Sequence, residues 1–163
     1  MNKSYTVTSL FSDLSETCDL NQNYILISLL EQPFKDIVSG KKIFEYRTRY
    51  SKVPTTAFIY VSRTLRQICG IVDFDSPIIG TSEEICALAE KHQPGSSANL
   101  MAYFKNGIGY AIPVKSVRLI ETVDLFSLRK LFPGFVAPQS YYLLNNKPEL
   151  LKYLLSLPMI KRR

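Results

Sequence analysis

The sequence predicts one α+β domain, a small and partly open β-barrel with helices around its outside. Three observations carry that expectation. Hydrophobic residues fill 46% of the 163 positions and charged residues 21%, enough to build the core of one domain. Short apolar runs of strand character are interspersed with segments of helical spacing. The segments joining residues 43–47, 56–62 and 68–74 are too short for helical crossovers. Those strands therefore pair antiparallel or bend round a barrel.

In chain order, residues 1–23 read as a polar extension with one short helix around 10–14. The domain is expected over 24–145. The run Tyr24-Ile25-Leu26-Ile27-Ser28-Leu29-Leu30 suits a buried strand. Glu31-Gln32-Pro33 opens a helix, with Pro33 tolerated in its first turn. Phe34, Ile37 and Val38 face inward, and Gly40 supplies the left-handed residue at the helix end. In strand 43–47, alternation sets Phe44 and Tyr46 against Ile43, Glu45 and Arg47. Strands 56–62 and 68–74 flank a polar turn. Thr81-Ser82-Glu83-Glu84 has the form of a capping box for a helix to about Lys91, with Ile85, Leu88 and Ala89 inside. A shorter helix over 98–105 should stop at Asn106-Gly107. Strand 109–119 contains Pro113, which demands an edge or a bulge. Asp124 caps a helix to Leu131, and 141–144 forms a last strand. Residues 146–163 give a helix with Leu150, Leu151, Leu154 and Leu157 on one stripe, packed on the domain, then a basic tail of Lys161, Arg162 and Arg163.

No apolar run approaches the ~18 residues that span a bilayer, and a polar stretch follows Lys3 where a leader would be apolar. The three cysteines, Cys18, Cys69 and Cys86, are odd in number and widely spaced. They read as reduced thiols of a cytoplasmic protein, not as a disulfide framework or a zinc site. No cofactor is called for. Asp73 and Asp75 share a strand face without further ligands, so no metal is expected. His92 reads as the surface end of a helix.

The net charge is +6, and its placement says more than its size. Lys41, Lys42, Arg47, Arg49, Lys52, Arg63 and Arg66 lie within 26 residues against Glu45 alone. That local balance equals the excess of the whole chain. A basic face of this kind can attract a polyanion such as RNA or a nucleotide, or it can be no more than a solvated charged rim, and charge alone favours neither.

Four segments carry a family resemblance. Ser39-Gly40-Lys41-Lys42-Ile43-Phe44-Glu45-Tyr46-Arg47 resembles the hallmark of the ASCH family: a helix end, Gly-Lys-Lys, then a strand with Glu and Arg two apart. Ile59-Tyr60-Val61-Ser62 with Ile68-Cys69-Gly70-Ile71-Val72 is similar to its central hairpin, and Tyr110-Ala111-Ile112-Pro113-Val114 to its later strand. Pro138-Gln139-Ser140-Tyr141-Tyr142-Leu143 looks like its closing Pro-Gln-Ser motif. The resemblance implies a PUA-like β-barrel with a cleft lined by Gly-Lys-Lys. It also implies RNA binding, since ASCH domains are thought to bind RNA. Some members are enzymes: one branch hydrolyses N4-acetylcytidine with a Lys, a Thr and a distant Glu, and others are reported as ribonucleases.

The residues themselves support an anion site there. Gly40 leaves room for close approach. Lys41 and Lys42 are point charges for phosphate, and Arg47 can grip it bidentately. Tyr46, Tyr50 and Tyr60 are candidate stacking surfaces, although each also suits a core. Glu45 can accept from base amino groups or pair with Arg47 or Lys41. Gln139 and Ser140 help line the cleft or shape the approach to the last strand. The leading expectation is a binding module. The alternative is a small hydrolase acting on a modified nucleoside or on RNA, with Lys42 and Glu45 as its candidate groups. Neither a Ser-His-Asp nor a Cys-His arrangement is evident. A protein adaptor with a Tyr-rich surface is the third possibility.

Overall fold

The computed structural model describes residues 21–161 apart from residue 106. The short helix expected around 10–14, Cys18, Arg162 and Arg163 lie outside the described residues.

Strand β1, Tyr24–Leu29, is buried along nearly its whole length. Leu26 belongs to one hydrophobic cluster while Ile25, Ile27 and Leu29 belong to another. A strand covered on both faces needs apolar side chains on both, which is why this run is continuous instead of alternating. Helix α1, Glu31–Val38, follows with Phe34 and Ile37 buried, and Gly40 closes it at φ +78°. Next come β2, Phe44–Arg47; β3, Thr55–Val61; β4, Gln67–Phe74; and β5, Ile78–Thr81. Helix α2, Ser82–His92, starts on a capping box: the Glu84 amide donates to Thr81 Oγ1 at 3.3 Å, and the Thr81 amide donates to Glu84 Oε2 at 2.8 Å. Helix α3, Ser97–Phe104, precedes β6, Ile108–Asp124. Asp124 then caps α4, Leu125–Leu131, accepting from the Ser127 amide at 2.7 Å. Strand β7, Tyr141–Leu143, helix α5, Pro148–Leu155, and β8, Met159–Ile160, complete the described chain. Leu150, Leu151 and Leu154 of α5 are buried in the first cluster, beside Phe58, Ile120 and Leu128.

The strands run β2-β6-β4-β3-β1-β7, with β5 and β8 also paired to β6. The β1–β3 pair is parallel and the other pairs are antiparallel. The sheet curls into a half-barrel. Its two ends approach each other: Arg47 on β2 donates from Nη2 to the Ser28 carbonyl of β1 at 2.8 Å. The rings of Tyr50 and Tyr141 meet near the same opening, 5.2 Å apart between centroids. That opening is a seam, bridged by side chains instead of by a ladder.

Three features extend the expectation from sequence. Strand β2 pairs with β6 and leaves its sequence neighbour β3, because Tyr46 must pack with Ile85, Cys86, Ala89, Phe104 and Ala111. Strand β6 does not stop near residue 119 but runs to Asp124, shifting register against β4 at two points. Pro113 sits beside one of these shifts, pairs with Phe44 and accepts the Asp75 amide at 3.0 Å. Its missing N–H falls where the β4 ladder ends, as a strand proline requires. Strands β5 and β8 are additional. Among the described residues no helix is long and apolar enough to cross a membrane.

Candidate anion-binding seam

The α1–β2 turn and β2 bring three charged side chains into one row. Lys42 Nζ lies 3.3 Å from Glu45 Oε2, and Arg47 Nε lies 2.9 Å from Glu45 Oε1. The side chains are 14%, 8% and 12% exposed for Lys42, Glu45 and Arg47. Spacing explains the row. Glu45 and Arg47 are two apart on a strand and share a face, and the turn closed by Gly40 swings Lys42 beneath them. The turn is fixed by the Lys42 amide, which donates to the Asp36 carbonyl at 3.0 Å. Lys42 also stands over the Tyr46 ring, 5.1 Å from its centroid.

Two cations share one carboxylate, so the row carries a surplus positive charge in a place water barely reaches. Glu45 holds both cations in fixed positions. Among the described residues the Lys42 ammonium meets Glu45 and the Tyr46 face, which leaves donors of its three for a ligand. Lys41 is exposed beside this row and adds a second, mobile positive charge.

Ser28 ties the row to the Pro-Gln-Ser segment. Its carbonyl accepts from Arg47, its amide donates to the Ser140 carbonyl at 2.9 Å, and its hydroxyl donates to the Pro138 carbonyl at 2.5 Å. Ser140 is therefore one residue removed from Arg47. Ser28 was not singled out from sequence, although a lone serine inside Ile25-Leu26-Ile27-Ser28-Leu29 was the available signal.

Other candidates separate from this group. Gln139 is exposed and lines a different groove of about 720 Å³, formed by residues 132–139 and the start of α5. A second groove of about 1190 Å³ is lined by Thr56, Asp73, Lys115 and Arg118 near the start of β1. Lys42, Glu45 and Arg47 line neither. Tyr46, Tyr50 and Tyr60 are each under 10% exposed, so all three act as core aromatics. Burial, and secondly the Glu45 charge, pushes the Tyr46 phenol up to about 12. Burial likewise raises Tyr50, whose hydroxyl lies 2.6 Å from Thr55 Oγ1. Tyr141, partly exposed beside Ser140, is the tyrosine left at the margin of the seam.

Asp73 is saturated, accepting from Thr56, Ser116 and Arg118. Among the described residues no three His, Cys, Asp or Glu side chains gather as a metal site. His92 is an exposed helix end, 5.4 Å from the Phe44 ring. Cys69 and Cys86 are buried, and burial pushes the Cys69 thiol up to about 12.

Half-barrel, peripheral helices and seam make up an α+β domain with a PUA-like fold. Solved structures sharpen that class. An ASCH protein from Zymomonas mobilis superposes with a TM-score of 0.72 at 23% identity, covering 85% of this chain and 98% of that one. A tyrosine-to-phenylalanine variant of the Zymomonas mobilis protein gives 0.70 at 23% identity, over 82% and 98% of the two chains. Its serine-to-alanine variant gives 0.68 at 22%, over 82% and 97%. The chain therefore has the PUA-like ASCH fold. No family model and no curated protein matches the sequence.

Proposed function

We propose that this protein binds RNA or a nucleotide at the seam, with Lys42 and Arg47 on phosphate and Lys41 at its rim. One observation carries the reading: two nearly buried cations held by a single carboxylate at the open edge of the barrel. A charge surplus in a poorly hydrated site attracts an anion far more strongly than one in bulk water does. A planar guanidinium anchored through Nε and Nη2 is already oriented, so less entropy is lost on binding. Ser28 and Ser140 shape the wall opposite the row, and Tyr141 offers an aromatic face near it. Glu45 positions the cations.

The test is single-stranded RNA binding at several salt concentrations. Each phosphate neutralised contributes about 0.7 to the slope of log affinity against log salt. The variant joining Lys42→Ala, Arg47→Ala and Glu45→Gln removes both cations without stranding a buried carboxylate. It should keep a cooperative melt and flatten the slope by about 1.4, for two lost phosphate contacts. An unchanged slope in a folded variant would move the site away from the seam.

A further inference from the structure

The basic stretch of the sequence divides in the fold. Lys52 precedes β3 at the end of the sheet where Thr56 pairs with Tyr24. Arg63 and Arg66 occupy the β3–β4 turn at the opposite end, where Val61 pairs with Leu29. That is the end that carries Ser28 and Arg47.

The turn is anchored, not loose. The Ser62 amide donates to the Leu29 carbonyl at 2.9 Å, and the Arg66 carbonyl accepts the Leu125 amide at 2.9 Å. The Thr64 amide donates to the Ser62 carbonyl at 2.8 Å within the turn. Neighbouring carbonyls of β1 thus serve the two basic groups. Ser28 takes Arg47, and Leu29 takes the first residue of the arginine turn.

Both arginines are exposed, and both adopt left-handed backbone, with φ of 63° and 51°. That conformation costs any residue with a Cβ and costs glycine nothing. Glycine or asparagine would suit both positions better. Two arginines at two strained positions of one turn, facing solvent without a carboxylate partner among the described residues, are cations retained against local backbone preference. Strain of this kind gathers where function needs it.

We propose that the β3–β4 turn is a second phosphate-contacting arm. The ligand of the seam is then a single-stranded RNA of several nucleotides, running from Lys42 and Arg47 across the end of β1 to Arg63 and Arg66. The inference rests on the seam as an anion site and adds the length and path of the ligand.

The test pairs Arg63→Gly with Arg66→Gly and measures three quantities: melting temperature, the salt slope for a short oligouridylate, and affinity for uridine monophosphate. Melting temperature should hold or rise, since glycine relieves the strain. The oligouridylate slope should fall by about 1.4, two phosphates at 0.7 each. Uridine monophosphate, which reaches the seam alone, should bind as it does to the parent. Arg63→Lys with Arg66→Lys keeps the charge and should keep the parental slope. A glycine variant with the parental slope overturns the arm while leaving the seam in place. A parent that binds neither oligouridylate nor uridine monophosphate overturns both.

Discussion

Two arginine–carboxylate clusters sit at opposite ends of the same sheet and serve different ends. At the start of β1 and β3, Arg118 meets Asp73 at 2.7 Å, with side chains 37% and 26% exposed. Asp73 also receives Thr56 and Ser116, so one carboxylate balances one guanidinium. At the seam, Glu45 faces two cations and all three side chains are 14% exposed or less. The first cluster is balanced in charge and its carboxylate is fully engaged, with only Arg118 Nε lacking a hydrogen-bond partner within it. The second has an unmatched positive charge and much less water to screen it. Identical chemistry thus becomes a charge-matched staple at one end and a row with surplus positive charge at the other, through burial and one additional lysine.

The largest test of this contrast is stability. Glu45→Ala leaves two like charges nearly buried and should cost about 3–5 kcal/mol in chemical denaturation. Asp73→Ala strands an arginine that water reaches, and about 1 kcal/mol is expected. Equal losses would erase the distinction. Binding comes next: Arg118→Ala should leave the RNA salt slope at its parental value, whereas the seam variant flattens it by about 1.4.

Catalysis gives a third test. The resemblance places a threonine three residues after the lysine in the acetylcytidine hydrolases, and Glu45 stands at that position here. A carboxylate has no hydroxyl proton for the lysine to take, and Lys42 is engaged with it at 3.3 Å. Incubation with acetylcytidine should release no cytidine above background. Release that disappears in Lys42→Ala would make the protein a hydrolase, with Glu45 as a general base on water.

The smallest effect is spectroscopic. The Tyr46 phenol sits at about 12 because of burial and then Glu45, and Tyr142 sits at about 12 because of burial alone. Glu45→Gln should lower the Tyr46 midpoint in an alkaline absorbance titration and leave Tyr142 where it is. Both groups are raised above 10.0. Their contribution to stability is whole below that pH and is lost as pH climbs towards 12.

What the sequence discloses follows from distance along the chain. The Thr81–Glu84 capping box, the Asp124 cap and the Gly40 stop are exchanges within a few residues, and all three appear in the fold. Lys42, Glu45 and Arg47 were legible for the same reason. Ser28 was not, because its carbonyl, amide and hydroxyl act on residues 19 and more than 100 positions away. Strand β5 is short and mostly exposed, so it shows no alternation to read. Tyr46, Tyr50 and Tyr60 have the right chemistry for stacking, but a tyrosine's residue type does not say which face of a curled sheet it occupies.

The pairing of β2 with β6 has a consequence for synthesis. Phe44 finds its partner in Pro113, and Ser28 receives its Ser140 contact later still. At about 5–20 residues per second, a ribosome delivers those partners seconds after the lysines have emerged. Until then Glu45 has no β6 to hold it, and the row of charges is not assembled. A nascent chain that has not yet delivered β6 therefore carries these basic residues without the Glu45-centred row that the folded domain holds.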